Sequence, residues 1–315
     1  MPPLLTNQSG NRRKVGMEFE FAGVEIEDVA NLIAELFGGA VVEENAFIYR
    51  VEGTAHGDFQ VEVDSAFLKE ERYKPFLELL DLSELAEESL KETLRKLSGI
   101  AVPMEVVTPP IEMDSIYLFE ELRAKLRQRK ALGTNASFIY AFGLHINPEA
   151  ASLDARYLLN ILRAFFILFR ELLEASDVDP TRRLTPYIDT FPERYVRKVL
   201  ASDYHPGIDE LIDDYLVENP TRNRALDMLP IFAHLDLERV KAGVKEPDLV
   251  NARPAFHYRL PNCRIDEDDW SVAEEWNRWA AVEKLADDEE LLKEQAGVYL
   301  ADRTSIGDWL KDLFR

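Results

Sequence analysis

Near the start of the chain apolar residues fall on every second position, at Val15, Met17, Phe19 and Phe21, with Glu18 and Glu20 between them. A period of two sends the bulk to one face of a strand and both carboxylates to the other. The alternation returns in FQVEVD, where Phe59, Val61 and Val63 interleave with Gln60, Glu62 and Asp64. With AFIYRVEG before it and a His56-Gly57 turn between, this predicts a hairpin from about Ala46 to Asp64. AVPMEVVTPPI, from Ala101 to Ile111, predicts a strand ended by Pro109 and Pro110, because proline cannot donate to a ladder. SFIYAFGLHINPE predicts a further strand ending at Pro148, and PAFHYRLPN a late one from Pro254 to Asn262.

Between the strands the period lengthens. Val29, Leu32, Ile33, Leu36 and Phe37 recur at helical spacing, with Asp28 placed to cap the helix and Gly38-Gly39 to stop it. Helices are also predicted over Glu70–Ser98, about Asp114–Leu132, about Ser152–Ala175 and most of Phe191–Gly243, and Trp-bearing acidic helices close the chain. Trp270, Trp276 and Trp279 read as core anchors rather than a partner surface. The most apolar segment, YLLNILRAFFILF from Tyr157 to Phe169, is too short to span a bilayer and carries Asn160 and Arg163, so it reads as a core helix. The pattern predicts an α+β fold in a single domain over 1–315, with helical insertions at about 70–98 and 190–245 and a helical C-terminal segment at about 268–315. No repeat or long linker interrupts it.

Composition narrows the function. With 315 residues, 46% of them hydrophobic, the chain can bury a substantial core. Its formal charge of -22 argues against nucleic acid and anionic membranes, both of which are met by clustered Lys and Arg. Cys263 is the only cysteine, which leaves no intrachain disulfide and no thiolate metal site. The opening MPPLLTNQSGNRRK lacks the apolar run of a secretory signal, so a cytoplasmic location is expected.

One face of the predicted sheet collects Glu18, Glu20, Glu62, Asp64, Glu105 and His145, with Asn147 on the same side as His145. Such a row is either a solvated acidic face or a set of ligands for cations. Oxygen donors favour a hard divalent ion, and one imidazole is tolerated better by Mn²⁺ than by Mg²⁺. Arg259 offers a fork of donors suited to phosphoryl oxygens, or an ordinary ion pair.

VGMEFEFAG, VEVDSAF, MEVVTPPI, GLHIN, RRLTPY, NRALDML and FHYRLPN, in this order, resemble the amidoligase family. That family is a branch of the carboxylate–amine ligases related to glutamine synthetase and γ-glutamylcysteine synthetase. The resemblance implies a curved antiparallel sheet of the glutamine synthetase-like catalytic type, with helices packed on its outer face and ATP and Mg²⁺ or Mn²⁺ on its concave face. It implies an ATP-dependent ligase that forms an amide through an acyl phosphate, from small-molecule or peptide carboxylate and amine substrates. Glu18, Glu20 and Glu105 would be metal ligands and His145 would lie near the nucleotide phosphates, with Glu62 or Asp64 as a further ligand or orienting group. Asn147 would lie beside the cofactor, Arg259 and Glu105 would act in catalysis, and Arg183 and Tyr187 of RRLTPY would meet substrate.

Two positions depart from the family pattern. His257 stands where a Glu-x-Arg pair carries its metal-binding glutamate, and would be a metal ligand weaker toward Mg²⁺ or else a core histidine paired to backbone, and Asn147 replaces the second histidine of Gly-x-His-x-His. They keep open a catalytically impaired relative that binds nucleotide, metal or peptide. A metal-dependent hydrolase is less favoured, since no His-Glu-x-x-His spacing occurs. The substrates and the oligomeric state are not encoded in any readable motif.

Overall fold

The computed structural model describes residues 1–63, 102–136, 142–176 and 190–302. The chain is α+β and divides into two compact units assembled from segments distant in sequence. The first comprises Gly16–His145 with Asn262–Ala273, and the second Met1–Val15, Ile146–Pro261 and Glu274–Arg315. The helix expected over Glu70–Ser98, together with Asp64, Arg183 and Tyr187, lies outside the described residues.

In the first unit, β1 (Lys14–Phe21), β2 (Ala40–Asn45), β3 (Ile48–Glu52), β4 (Phe59–Val63) and β5 (Met104–Val107) run in the order β2-β3-β4-β5-β1. The short β6 (Ile111–Glu112) also pairs with β1, and the first residues of β7 (Leu144–Pro148) follow on its free side. The hairpin is present as β3 and β4, antiparallel with Ile48 opposite Glu62 and Val51 opposite Phe59. β4 and β1 flank β5, both antiparallel to it. Apolar residues therefore line up in rows: Phe19, Val106 and Val61 in one, Phe21, Met104 and Val63 in the next.

Helices cover this apolar face. α1 (Ile26–Phe37) stacks Phe37 on Phe59 at 5.2 Å between ring centroids, and α2 (Tyr117–Gln128) sets Phe119 edge-on to Phe19 at 6.4 Å. Phe19, Phe21, Val61 and Val106 are fully buried, which fixes the register, because a slip of one residue would turn every carboxylate inward. α1 begins earlier than expected, after Glu25, so Asp28 is no cap; it stands with Glu27 in the first turn, where the N-terminal dipole favours acids. Gly38 ends the helix at φ 77°, its N–H bonded to the Ala34 carbonyl, as the sequence anticipates.

The second unit is mainly helical: α3 (Ala155–Ala175), α4 (Glu193–Leu200), α5 (Ile208–Glu218), α6 (Leu229–Leu235), α7 (Leu237–Gly243), most of α8 (Val272–Asp287) and α9 (Glu289–Ala301). Its sheet consists of the end of β7 with β9 (His257–Tyr258) and β8 (Leu226–Asp227), in the order β7-β9-β8. β8 lies in a region expected to be helical, and β9 is shorter than the predicted strand, reduced to two residues between Pro254 and Pro261. Phe165, Phe166, Phe191, Tyr195 and Tyr215 form an aromatic core, and Phe256 and Tyr258 rest on Trp279. Trp276 and Trp279 are buried here and Trp270 in the first unit, as core anchors should be.

The N-terminal segment joins this core through Arg13, only 1% exposed, whose two terminal nitrogens meet both Glu283 oxygens at 2.7 and 2.8 Å. Trp279 Nε1 donates to the same carboxylate at 2.7 Å. No helix among the described residues is long and apolar enough to cross a membrane.

Candidate functional site

The face of the first unit's sheet opposite the helices carries the carboxylates. Glu105 on β5 stands directly opposite both Glu20 on β1 and Glu62 on β4, so three acids form one cross-strand row. Side chains so placed have Cβ atoms roughly 5 Å apart, and like charges at that spacing destabilise a sheet. The neighbouring row is milder, with Glu18 and Gln60 on either side of Val107. Gln60 Nε2 donates to Glu62 Oε2 at 2.8 Å, holding that carboxylate from its own strand.

His145 completes the cluster from β7. Its Nδ1 lies 2.9 Å from Glu18 Oε2 and its Nε2 3.5 Å from Glu20 Oε1. The other Glu20 oxygen accepts the Gly143 N–H at 2.6 Å, and Glu20 N–H donates to the Gly143 carbonyl, so backbone fixes this carboxylate from two sides. Only 9% of the His145 side chain is exposed, against 14% for Glu18 and 25% for Glu20. One ligand atom each from Glu20, Glu105 and His145 lies within 4.8 Å of the others, so these three could hold a metal ion.

The tautomer of His145 carries information. A proton on Nδ1 is donated to Glu18, leaving the Nε2 lone pair turned toward a Glu20 oxygen that can only accept. Two lone pairs facing at 3.5 Å are compatible when a cation or a second proton lies between them. A histidine that donates one nitrogen to a carboxylate while offering the other is also the usual metal-binding arrangement. Two carboxylate oxygens and one imidazole nitrogen fit a hard or borderline divalent cation such as Mn²⁺ or Mg²⁺.

The remaining candidates lie in the second unit. His257 is buried on β9, with Arg253 Nη2 and Arg259 Nη2 each 3.4 Å from its Nδ1. Arg253 Nη2 also donates to Asn147 Oδ1 at 2.8 Å. Asp227 on β8 stands opposite His257; burial pushes its carboxyl up to about 6, against the opposing pull of Arg259, the Leu229 N–H, Arg222 and Arg253. Arg253 and Asp227 were not among the residues the sequence singled out. Asp227 sits inside NRALDML, a segment the resemblance includes, but nothing in its spacing marks one residue of the seven.

No curated protein matches the chain. The model of the family described as "Putative amidoligase enzyme" matches residues 11–281, which include both units' candidate residues. Since that match covers most of the chain, the protein is a member of this amidoligase family.

Proposed function

We propose that the protein is an ATP-dependent carboxylate–amine ligase whose first unit holds a divalent cation between Glu20, Glu105 and His145 Nε2. The observation that carries the proposal is the cross-strand row of carboxylates ending at a histidine whose second nitrogen is turned into the row. Family membership supports the reaction class, and the chemistry of the donor set supports the cation.

In this reading the chain's residues divide the work. Glu20 and Glu105 supply anionic oxygens; the two backbone bonds to Gly143 keep Glu20 from turning away. Glu18 orients His145 through Oε2, which meets Nδ1. Glu62, held by Gln60, adds negative charge beside Glu105 and raises the row's affinity for a cation. A bound divalent ion would neutralise the charge that develops on a transferring phosphoryl group. The substrate carboxylate oxygen would take the γ-phosphoryl group of ATP as the bond from that phosphorus to the ADP oxygen breaks, and the unprotonated amine would then attack the acyl carbon, forming the C–N bond as the C–O bond to phosphate breaks and one N–H proton passes to the departing phosphate or to water. A cytoplasmic location and amino-acid or peptide substrates belong to the same proposal.

Two measurements on the full chain test it. Mn²⁺ titration followed by electron paramagnetic resonance is expected to show a site lost in Glu105→Gln and weakened about tenfold or more when Glu18→Gln removes the group behind His145. A screen of acids and amines with ATP and Mg²⁺ is expected to release phosphate only when both substrates are present. Mn²⁺ binding unchanged in both variants would sink the ligand assignment, and phosphate release without an amine would sink the ligase.

A further inference from the structure

The most apolar stretch of α3 carries two polar residues, Asn160 and Arg163. Arg163 is accounted for by the end of α4, where it donates to the carbonyls of Val199, Ala201 and Tyr204 at 2.8, 3.2 and 2.7 Å. Asn160 has no such role. It is only 8% exposed, and its side-chain amide meets no hydrogen-bond partner among the described residues. A buried amide left unpaired gives up hydration without compensation, so its partner has to be sought in what it faces.

Asn160 lines a pocket of about 230 Å³ in the second unit, between the start of α3, the junction of α8 with α9, and the N-terminal Pro3 and Leu4. A cavity of about 150 Å³ admits benzene, so the space suits a molecule of amino-acid size. Its walls are already held. Arg13 Nη1 donates to the Leu4 carbonyl at 2.6 Å and to Glu283 Oε2 at 2.7 Å, which ties the N-terminal wall to α8. The Tyr157 ring lies 6.4 Å from that of Phe256, and its hydroxyl accepts the Ala151 N–H at 3.2 Å while donating its own proton to no described residue. Burial first, and then the charge of Glu283, raises the Tyr157 phenol against the pull of Arg13 and the Ala151 N–H, so that proton stays available.

An occupant therefore meets two donors and an acceptor from Asn160 and one donor from Tyr157. The charged lining sets its sign. Glu283 is matched by Arg13, and Arg156 pairs with Glu289 at 3.3 Å. Asp154 and Asp287 are left over; Asp154 caps α3, accepting from the Tyr157 N–H at 2.9 Å and from the Ser152 hydroxyl, whereas Asp287 meets no cation or donor among the described residues. This surplus favours a cationic group and opposes a free carboxylate. Leu4, 42% exposed, adds apolar surface on the N-terminal side. Water would satisfy Asn160 and Tyr157, but would neither cover Leu4 nor neutralise Asp287.

We propose that this pocket binds a small amino-acid amide, with its ammonium on Asp287, its primary amide paired edge to edge with Asn160, its carbonyl also accepting from Tyr157, and an apolar side chain against Leu4. A primary amide meets both edges of Asn160 at once. A trans peptide bond does not, because its N–H and C=O point opposite ways, so the occupant is a free amide rather than the amino terminus of a peptide. Every lining residue belongs to the second unit, and the site stands whether or not the first unit's carboxylates serve a ligase.

The test is calorimetric titration of leucinamide into the full chain without metal or nucleotide. Wild type is expected to bind it saturably at one site. Leucine, N-acetyl-leucinamide and the tripeptide Leu-Gly-Gly should each bind about tenfold or more weakly, lacking in turn the neutral amide, the ammonium and the paired amide edges. Asp287→Asn and Asn160→Leu should each weaken leucinamide about tenfold or more. Thermal melts without ligand separate binding from folding: Asn160→Leu removes an unpaired amide and should melt at or above wild type, whereas an asparagine that merely holds the fold would lower the melt on replacement. Asp287 is exposed, so its variant keeps the test decisive even if Asn160→Leu melts early. No saturable binding by wild type, or undiminished binding by folded Asp287→Asn, overturns the site. Equal binding of leucine, N-acetyl-leucinamide or Leu-Gly-Gly overturns the amino-acid amide as its occupant.

Discussion

Asp227 shows at the scale of one residue how burial and charge compete. Its folded carboxyl is raised to about 6, first by burial, although Arg259, the Leu229 N–H, Arg222 and Arg253 pull the other way. Because the folded value lies above that of the unfolded chain, the native state binds more protons between them. Stability from this group is complete below about pH 4 and is lost as pH rises through about 6. Asp227→Asn keeps an acceptor for the Leu229 N–H, which Asp227 Oδ1 now accepts at 2.9 Å, and removes the titration. Urea unfolding at intervals from pH 4 to 7 should show the variant gaining on wild type by on the order of 1–3 kcal/mol across that window. Parallel stability curves for the two proteins would mean that Asp227 is not linked to folding in this way. None of this could be read from NRALDML, since a buried aspartate and an exposed one look alike in sequence; only the pairing of β8 with β9 puts Asp227 beside arginine.

At the scale of elements, the row Glu62–Glu105–Glu20 was half legible. Alternation in β1, β4 and β5 was enough to separate carboxylates from core, because Met17, Phe19, Val61 and Val106 are each nearly or fully buried. It could not say which strands are neighbours, and so could not tell that Glu105 is the central acid. β2 escaped for a different reason: Val41 and Val42 are adjacent, and only Val41 and no other residue of this edge strand is even half-buried, so there is no period to detect. The row predicts a stability cost retained for binding. Glu105→Gln relieves repulsion on both sides, so without metal the variant should be more stable than wild type by about 0.5–2 kcal/mol. Saturating Mn²⁺ should reverse the order, because ligand at about 100 times its dissociation constant stabilises by about 2.7 kcal/mol only the protein that binds it. Paired thermal melts with and without Mn²⁺ check this, and a Glu105→Gln protein that melts below wild type without metal would show that the row is not strained.

Another pair of elements is tied by charge in the core. Arg13, one residue before β1, meets Glu283 on α8 inside the second unit, where burial opposes the guanidinium charge but the hydrogen bond and attraction of Glu283, with further pulls from Tyr157 and Glu149, outweigh it. Removing one partner leaves the other charged and buried. Arg13→Met should therefore cost roughly 3–5 kcal/mol, while Arg13→Met with Glu283→Leu should recover much of it. Equal losses in the single and double variants would place the cost in packing rather than in the uncompensated carboxylate.

The whole molecule carries -22, and a charge that large acts over the distance at which an anionic nucleotide approaches. At 0.01 M salt the screening length is about 30 Å, comparable with the protein itself, so an incoming ligand meets the summed field before any local feature. At 0.1 M the length falls to about 10 Å and the distant carboxylates drop out, leaving the charges near the binding surface in control. If the protein takes ATP, its association rate should rise as salt is raised across this range, the reverse of what a basic nucleotide-binding protein shows. Stopped-flow mixing with a fluorescent ATP analogue at fixed Mg²⁺ measures that rate, and a several-fold increase is expected from relief of repulsion. A rate that falls with salt would instead mean that charges local to the binding surface govern capture even against the net charge.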